Sequence, residues 1–235
     1  MAADVERELH RAVGMSDLAA LLAVGFRFPA DRRLSQGLSD GSFLGDWLAS
    51  WEDACAVPFN GDVSFSDAGY EALRREYSRL YLSPGIDVPV WPYEGCFLHR
   101  AAGRTDVPDV FRTRASVDVE RQMKAAGMQA VRLRTEPGDR VEVELEFVSY
   151  LYAKWGEALR EQAAAESSTE AKAVVADGPD AWRSRIAAFA SGHALRWLPD
   201  FMAQTRERSR LETYRSMAEL GLRFLGELAK DVQAV

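Results

Sequence analysis

Acidic side chains gather in one short stretch of the sequence, which is the part best suited to chemistry. Paired carboxylates can act as general acid and general base when their surroundings separate their pKa values. Acidic residues also favour the first turn of a helix, where they complement its dipole, and others can form a solvated face. The sequence favours this second, structural interpretation. The cluster consists of Glu136, Asp139, Glu142, Glu144 and Glu146.

Other residues that support catalysis lack the necessary spacing. The histidines at 10, 99 and 193 are scattered and form neither an HExxH motif nor a Glu-x-x-His pair. His193 is therefore predicted to be a packed helix residue and not a ligand. No lysine precedes serine or threonine, and no GxGxxG is present, so the sequence contains no phosphate-binding loop. We expect no cofactor and no metal.

Charge and cysteine content restrict the partners further. The chain carries 36 acidic and 29 basic residues, a net charge of −7, which disfavours nucleic acid and favours a cationic peptide. Cys55 and Cys96 are far apart and are predicted to be reduced thiols in the core. The longest apolar run, residues 18–26, is too short to span a bilayer, and acidic residues precede it. We expect a cytoplasmic protein without direct membrane insertion.

The elements that must position these residues are predicted to be helices. Residues 141–147 alternate apolar and acidic side chains as a strand would, but three- and four-residue spacing continues to residue 159, which favours a helix. Residues 161–178 are predicted to be a frayed helix end and a surface loop. The predicted helices cover residues 9–26, 43–53, 66–80, 109–127, 141–159, 179–197, a short one from Pro199, and 211–229.

Prolines and glycines divide the chain. Residues 83–108 hold four of the nine prolines and are predicted to form an ordered or partly ordered loop. The expected architecture is an all-α helical bundle in two parts, residues 1–127 and 139–235, joined by a hinge at residues 128–138. Opening of that hinge would allow exchange of halves, so we expect a monomer or a domain-swapped dimer.

Several unusual motifs follow one another in a definite order. Tyr77, Leu80 and Tyr81 form an aromatic-x-x-Leu-aromatic patch. The other motifs are Trp91-Pro92-Tyr93-Glu94, then Glu136-Pro137-Gly138-Asp139-Arg140 with Glu144-Leu145-Glu146-Phe147, and finally Phe189, His193, Trp197, Pro199 and Phe201. Over about residues 66–201 this order resembles the TorD/DmsD family of molybdoenzyme maturation chaperones.

The resemblance implies binding of the twin-arginine leader, or the apo form, of a molybdenum-cofactor oxidoreductase catalytic subunit before export. Such a leader pairs two guanidinium groups with an apolar stretch, so its receptor needs carboxylates beside an apolar groove. The expected peptide-binding residues are Tyr77, Leu80, Tyr81, Trp91, Pro92, Tyr93, Glu94, Asp139 and Arg140. The expected hinge and structural-motif residues are Glu136, Pro137, Gly138, Glu144 and Glu146.

This sequence departs from the family pattern at two points. Arg140 stands where the family usually has histidine, and this extra cation beside Asp139 is expected to weaken arginine binding. Gly95-Cys96-Phe97 replaces the commoner Ser-Val-Tyr, a chemically mild change.

Two alternatives to a leader-binding chaperone stay open. One is an enzyme, a hydrolase or a nucleotide-dependent enzyme, that uses the acidic cluster at residues 136–146. The other is a scaffold that does not bind the leader, or that recognises a folded enzyme without cofactor.

Overall fold

The computed structural model describes residues 2–61, 63–65, 68–82, 88–106, 108–128, 137–167 and 177–235, and the regular structure within them is helical. This confirms the all-α prediction. The elements are α1 (Ala2–Gly25), α2 (Arg32–Asp40), α3 (Ser42–Cys55), α4 (Tyr70–Tyr81), α5 (Glu94–Ala101), α6 (Arg114–Ala125), α7 (Val141–Ser167), α8 (Pro179–Phe189), a π-helical turn (Ala190–Ala194), α9 (Leu195–Arg208) and α10 (Glu212–Gln233).

Helices α1 and α7 form the centre of the molecule. Helix α1 packs along α7 and also against α3 and α10. Gly14 permits the close approach to α3, because a Cβ atom there would lie against the backbone of Ala54. Nε of Arg11 also donates to Asp231 on α10 over 2.8 Å. The core therefore combines residues from both predicted parts of the chain.

The predicted hinge lies mostly outside the described residues. Residues 129–136, which include Glu136, are not among them, whereas Pro137 and Gly138 are described and buried. The two-part division stays a prediction.

Residues 141–159 are helical, as their spacing predicted, but the expected solvated acidic face is wrong. Glu142 and Glu144 are buried, as is Asp139 just before the helix. Helix α7 packs between α1 and α8, so even its first turn faces other parts of the protein. Glu146 is half-buried and pairs with Arg27.

The proline-rich stretch contains a helix that the sequence did not predict. Helix α5 begins at Glu94, two residues after Pro92, and Tyr93 in an extended conformation forms its N-cap. The loop prediction is therefore wrong for residues 94–101; residues 83–87 and 107 lie outside the described residues. Helix α6 begins at Arg114, later than expected, because Thr113 caps it by accepting a hydrogen bond from the amide of Ser116.

Helices α8 and α9 are joined by the π-helical turn and are not separated at residue 197. Helix α9 continues through Pro199 to Arg208, contrary to the prediction of a new helix at this proline. Proline removes one helical hydrogen bond, but Leu198, Phe201 and Met202 are fully buried and offset that loss. Among the helices described, none is both long and apolar enough to cross a membrane.

Candidate functional site

Two of the predicted motifs meet through a short extended contact. Tyr93 and Arg140 form an isolated antiparallel bridge. The amide of Glu94 donates to the carbonyl of Asp139 over 2.8 Å, and the amide of Val141 donates to the carbonyl of Pro92 over 2.9 Å. Neighbouring side chains in extended backbone point to opposite sides. Glu94 and Asp139 therefore lie on one side of this contact, and Tyr93 and Arg140 on the other.

Asp139 joins the beginnings of two helices. Its Oδ2 accepts hydrogen bonds from the amide of Gly95 on α5 over 3.0 Å and from the hydroxyl of Thr113 before α6 over 2.9 Å. Burial raises the pKa of Asp139, and these hydrogen bonds only partly counter the rise. Gly95 is required at this contact, because a Cβ atom would lie 2.5 Å from Cγ2 of Thr113.

An open groove of about 1050 Å³ lies where α5, α6 and the π-helical turn come together. We call it the α5–α6 groove. Its lining carries both signs of charge beside small apolar side chains. The lining residues are Glu94, Gly95, Leu98, His99, Ala102, Arg104, Asp106, Pro108, Asp109, Thr113, Arg114, Ala115, Asp118, Gly192, His193 and Arg196.

A chain of polar side chains extends from this groove into the core, and we call it the polar cluster: Glu94, Asp118, Glu144, His193 and Trp197. Nδ1 of His193 lies 2.6 Å from Oε2 of Glu94, and Nε2 lies 2.9 Å from Oδ2 of Asp118. Deeper in the core, Nε1 of Trp197 donates to Oε2 of Glu144 over 3.0 Å.

Burial and charge shift the pKa values in the polar cluster. Burial alone would lower the pKa of His193, but its hydrogen bonds to Glu94 and Asp118 outweigh burial and raise it. The hydrogen bond from His193 lowers the pKa of Asp118. Burial, reinforced by repulsion from Glu94, raises the pKa of Glu144 well above its ordinary value. These shifts favour the protonated forms of His193 and Glu144.

His193 is buried, as predicted, and its ring stacks on Phe189 with the centroids 5.2 Å apart. Its acidic partners were not predicted. Glu94 and Asp118 are 99 and 75 residues away in sequence, and no local pattern marks such a contact. Thr113 and Trp197 were missed as polar partners for the same reason.

Arg140 lies on the side of the bridge away from the α5–α6 groove. One of its terminal nitrogens donates to the hydroxyl of Tyr77 over 2.9 Å, and its Nε lies 2.9 Å from a carboxylate oxygen of Glu142. The guanidinium also lies over the ring of Tyr93, 5.9 Å from the centroid. Arg140 and Glu142 line a second cavity of about 430 Å³. The extra cation is thus balanced by Glu142 and directed away from the groove.

The remaining predicted peptide-binding residues lie deeper. Tyr77, Leu80 and Tyr81 are 0%, 0% and 3% exposed, so a ligand cannot reach them while the core is closed. Pro92 is buried, and half-buried Trp91 lines a third cavity of about 290 Å³. In the structure Glu94 lies in the wall of the α5–α6 groove, and Asp139 hydrogen-bonds to two other lining residues, Gly95 and Thr113. The binding roles of all these residues stay predictions.

Comparison with known proteins identifies one matching family model. No curated protein matches the chain significantly. The family model described as nitrate reductase delta subunit matches residues 44–203, which is more than half of the chain. This family consists of chaperones for molybdoenzyme maturation, in agreement with the motif order and the all-helical fold. The chain therefore belongs to the nitrate reductase delta subunit family of molybdoenzyme maturation chaperones.

Proposed function

We propose that this protein binds the twin-arginine leader of an apo-molybdoenzyme catalytic subunit in the α5–α6 groove. The observation that carries the proposal is the position of Glu94. This residue belongs to the motif shared with the maturation chaperones, and it lies in the wall of the α5–α6 groove, where its carboxyl group is buried. Bound leader would keep the subunit from export until its cofactor is inserted in the cytoplasm.

The groove offers the two kinds of contact that such a leader needs. Asp118, whose side chain is 35% exposed, presents a carboxylate to its interior, with Glu94 buried in the same wall, and charge-assisted hydrogen bonds from guanidinium groups are strong. Leu98, Ala102 and Pro108 supply an apolar wall for the residues that follow the arginines.

Arg196 indicates where a leader arginine would sit. Its terminal nitrogen lies 3.7 Å from Oε1 of Glu94, and its side chain is 56% exposed. An exposed arginine at this distance makes a weak ion pair. A guanidinium of the leader that displaces the Arg196 side chain would take the same position beside Glu94.

A synthetic peptide with two adjacent arginines followed by an apolar segment tests the proposal by calorimetry. Asp118→Asn removes a charged acceptor and should weaken binding roughly 10- to 100-fold, the equivalent of about 1.4–2.7 kcal/mol. Arg196→Ala removes the competing cation and should tighten binding. Asp46→Asn and Arg33→Ala, exposed positions on α3 and α2, are the matched controls and should leave affinity unchanged.

The peptide with lysines in place of the arginines should bind more weakly, since lysine lacks the bidentate geometry of arginine. Equal affinity of the Asp118 and Asp46 variants would contradict the groove assignment. Binding of the whole apo-subunit without any binding of the peptide would support the scaffold alternative and exclude leader recognition.

A further inference from the structure

The polar cluster has the composition of a transition-metal site. Glu94, Glu144 and His193 each offer one ligand atom, and these atoms all lie within 4.8 Å of one another. The side chains come from α5, α7 and the π-helical turn, so the tertiary fold brings them together. All three residues are buried.

Two carboxylate oxygens in the cluster lack a hydrogen-bond donor. Oε1 of Glu94 and Oε1 of Glu144 are buried and accept no hydrogen bond from an N–H or hydroxyl group of the described residues, and the two carboxyl groups lie within hydrogen-bond reach of each other. Both residues are 0% exposed. Two buried carboxyl groups that face each other need either a shared proton or a bound cation between them. These two atoms are the natural first ligands of a cation.

Hydrogen bonds hold the side chains of His193 and Glu144 in orientations suited to metal binding. Trp197 donates to Oε2 of Glu144, which leaves Oε1 for a metal. Asp118 accepts from Nε2 of His193, which leaves Nδ1 directed at Glu94. A carboxylate on the far nitrogen of a histidine is the usual support of a metal-bound imidazole, because it fixes the ring and its tautomer.

We infer that Glu94, Glu144 and His193 bind one divalent first-row transition metal ion, of the Zn²⁺ or Co²⁺ type, in the wall of the α5–α6 groove. One imidazole nitrogen with two carboxylate oxygens suits these ions better than Ca²⁺, which takes six to eight oxygens. Two carboxylates and a neutral imidazole balance the ion's charge, and the ion displaces two protons, the one on Nδ1 of His193 and the one between Glu94 and Glu144. Glu94 and His193 line the groove, which provides an entry path and room for a further ligand.

Titration of chelator-treated full-length protein with Zn²⁺, followed by calorimetry, tests this inference. We expect one ion per chain, and a Co²⁺ complex with the visible absorption of a four- or five-coordinate ion. Glu144→Gln and His193→Gln should abolish stoichiometric binding. Asp118→Asn should weaken it roughly 10- to 100-fold, as loss of an outer support does. His99→Gln is the matched control, because His99 faces the same groove and contacts Asp106.

Three outcomes would overturn the inference: no wild-type binding tighter than about 0.1 mM, binding retained in both ligand variants, or binding lost in the His99 variant. X-ray absorption of the Zn²⁺-loaded wild type provides a measurement that needs no variant. It should show one imidazole with oxygen ligands, and a spectrum with thiolate or several imidazoles would contradict the site. Glu94 belongs to both proposed sites, so the leader-peptide titration is carried out on chelator-treated protein without metal, and the two proposals can then fail separately.

Discussion

Two substitutions of Asp139 distinguish the effect of its hydrogen bonds at the beginnings of α5 and α6 from the effect of its negative charge. Asp139→Ala removes the acceptor for the Gly95 amide and the Thr113 hydroxyl. A buried donor without an acceptor costs about 1–3 kcal/mol. Both donors belong to half-buried residues, so we expect the free energy of unfolding to fall by about 2–4 kcal/mol in total.

Asp139→Asn keeps an acceptor and removes the charge. The pKa of Asp139 is raised above its ordinary value of 3.8 because the carboxylate is buried. The folded state thus binds its proton more tightly than the unfolded state does. The residue's contribution to stability therefore declines as pH rises from 3.8 through the folded-state pKa. At neutral pH the Asn variant should stay within about 1 kcal/mol of wild type, because the lost charge was itself unfavourable.

Urea unfolding at several pH values measures both variants. The thiol of Cys96 on α5 is a local reporter, because it is buried and should react with a thiol reagent only when this helix opens. Asp106→Ala, an exposed carboxylate near the same groove, is the control and should change stability by less than about 0.5 kcal/mol. The reasoning fails if Ala costs no more than that control, or if Asn costs as much as Ala.

Two further predictions concern Gly95, which contacts Thr113, and Glu76 on α4. Gly95→Ala should lower stability by about 1–3 kcal/mol in thermal or urea unfolding, because the new Cβ atom would displace Thr113; unchanged stability would mean that Thr113 moves without cost. Burial alone would raise the pKa of Glu76, but Arg79 and the amide of Arg210 outweigh it and lower the pKa below 4.5. The stability that Glu76 contributes is therefore present above pH 4.5 and lost as pH falls through its folded-state pKa, so Glu76→Gln should flatten the acid side of the stability profile.

Local patterns in the sequence identified the helices whose apolar side chains recur every three or four residues. Val141, Leu145 and Val148 follow this rule, and α7 lies where they predicted. Short elements were harder. Helix α5 has only eight residues and lies between prolines, so its periodicity cannot be distinguished from a loop. Helix α2 was missed because it has few apolar residues and is stabilised locally by its cap, Asp31.

Only part of the candidate site could be predicted from the sequence. Glu94 and Asp139 were assigned from motif resemblance to one ligand site, and the structure places their backbones side by side. The burial of Glu144 could not be read from its neighbours, because it depends on the helices that pack around α7. Its donor, Trp197, is 53 residues away, and such a contact leaves no trace in local spacing.

The contact between Arg11 on α1 and Asp231 on α10 joins residues 220 positions apart, and this separation affects how the protein can be made. At about 5–20 residues per second, α1 leaves the ribosome roughly 10–40 s before its last partner is synthesised. Met15, Leu18 and Leu22 of α1 are fully buried in the finished protein, and α7, along which α1 packs, ends only at Ser167, so they stay partly uncovered for much of that time. The α5–α6 groove includes His193 and Arg196, so it too cannot form until most of the chain has been synthesised.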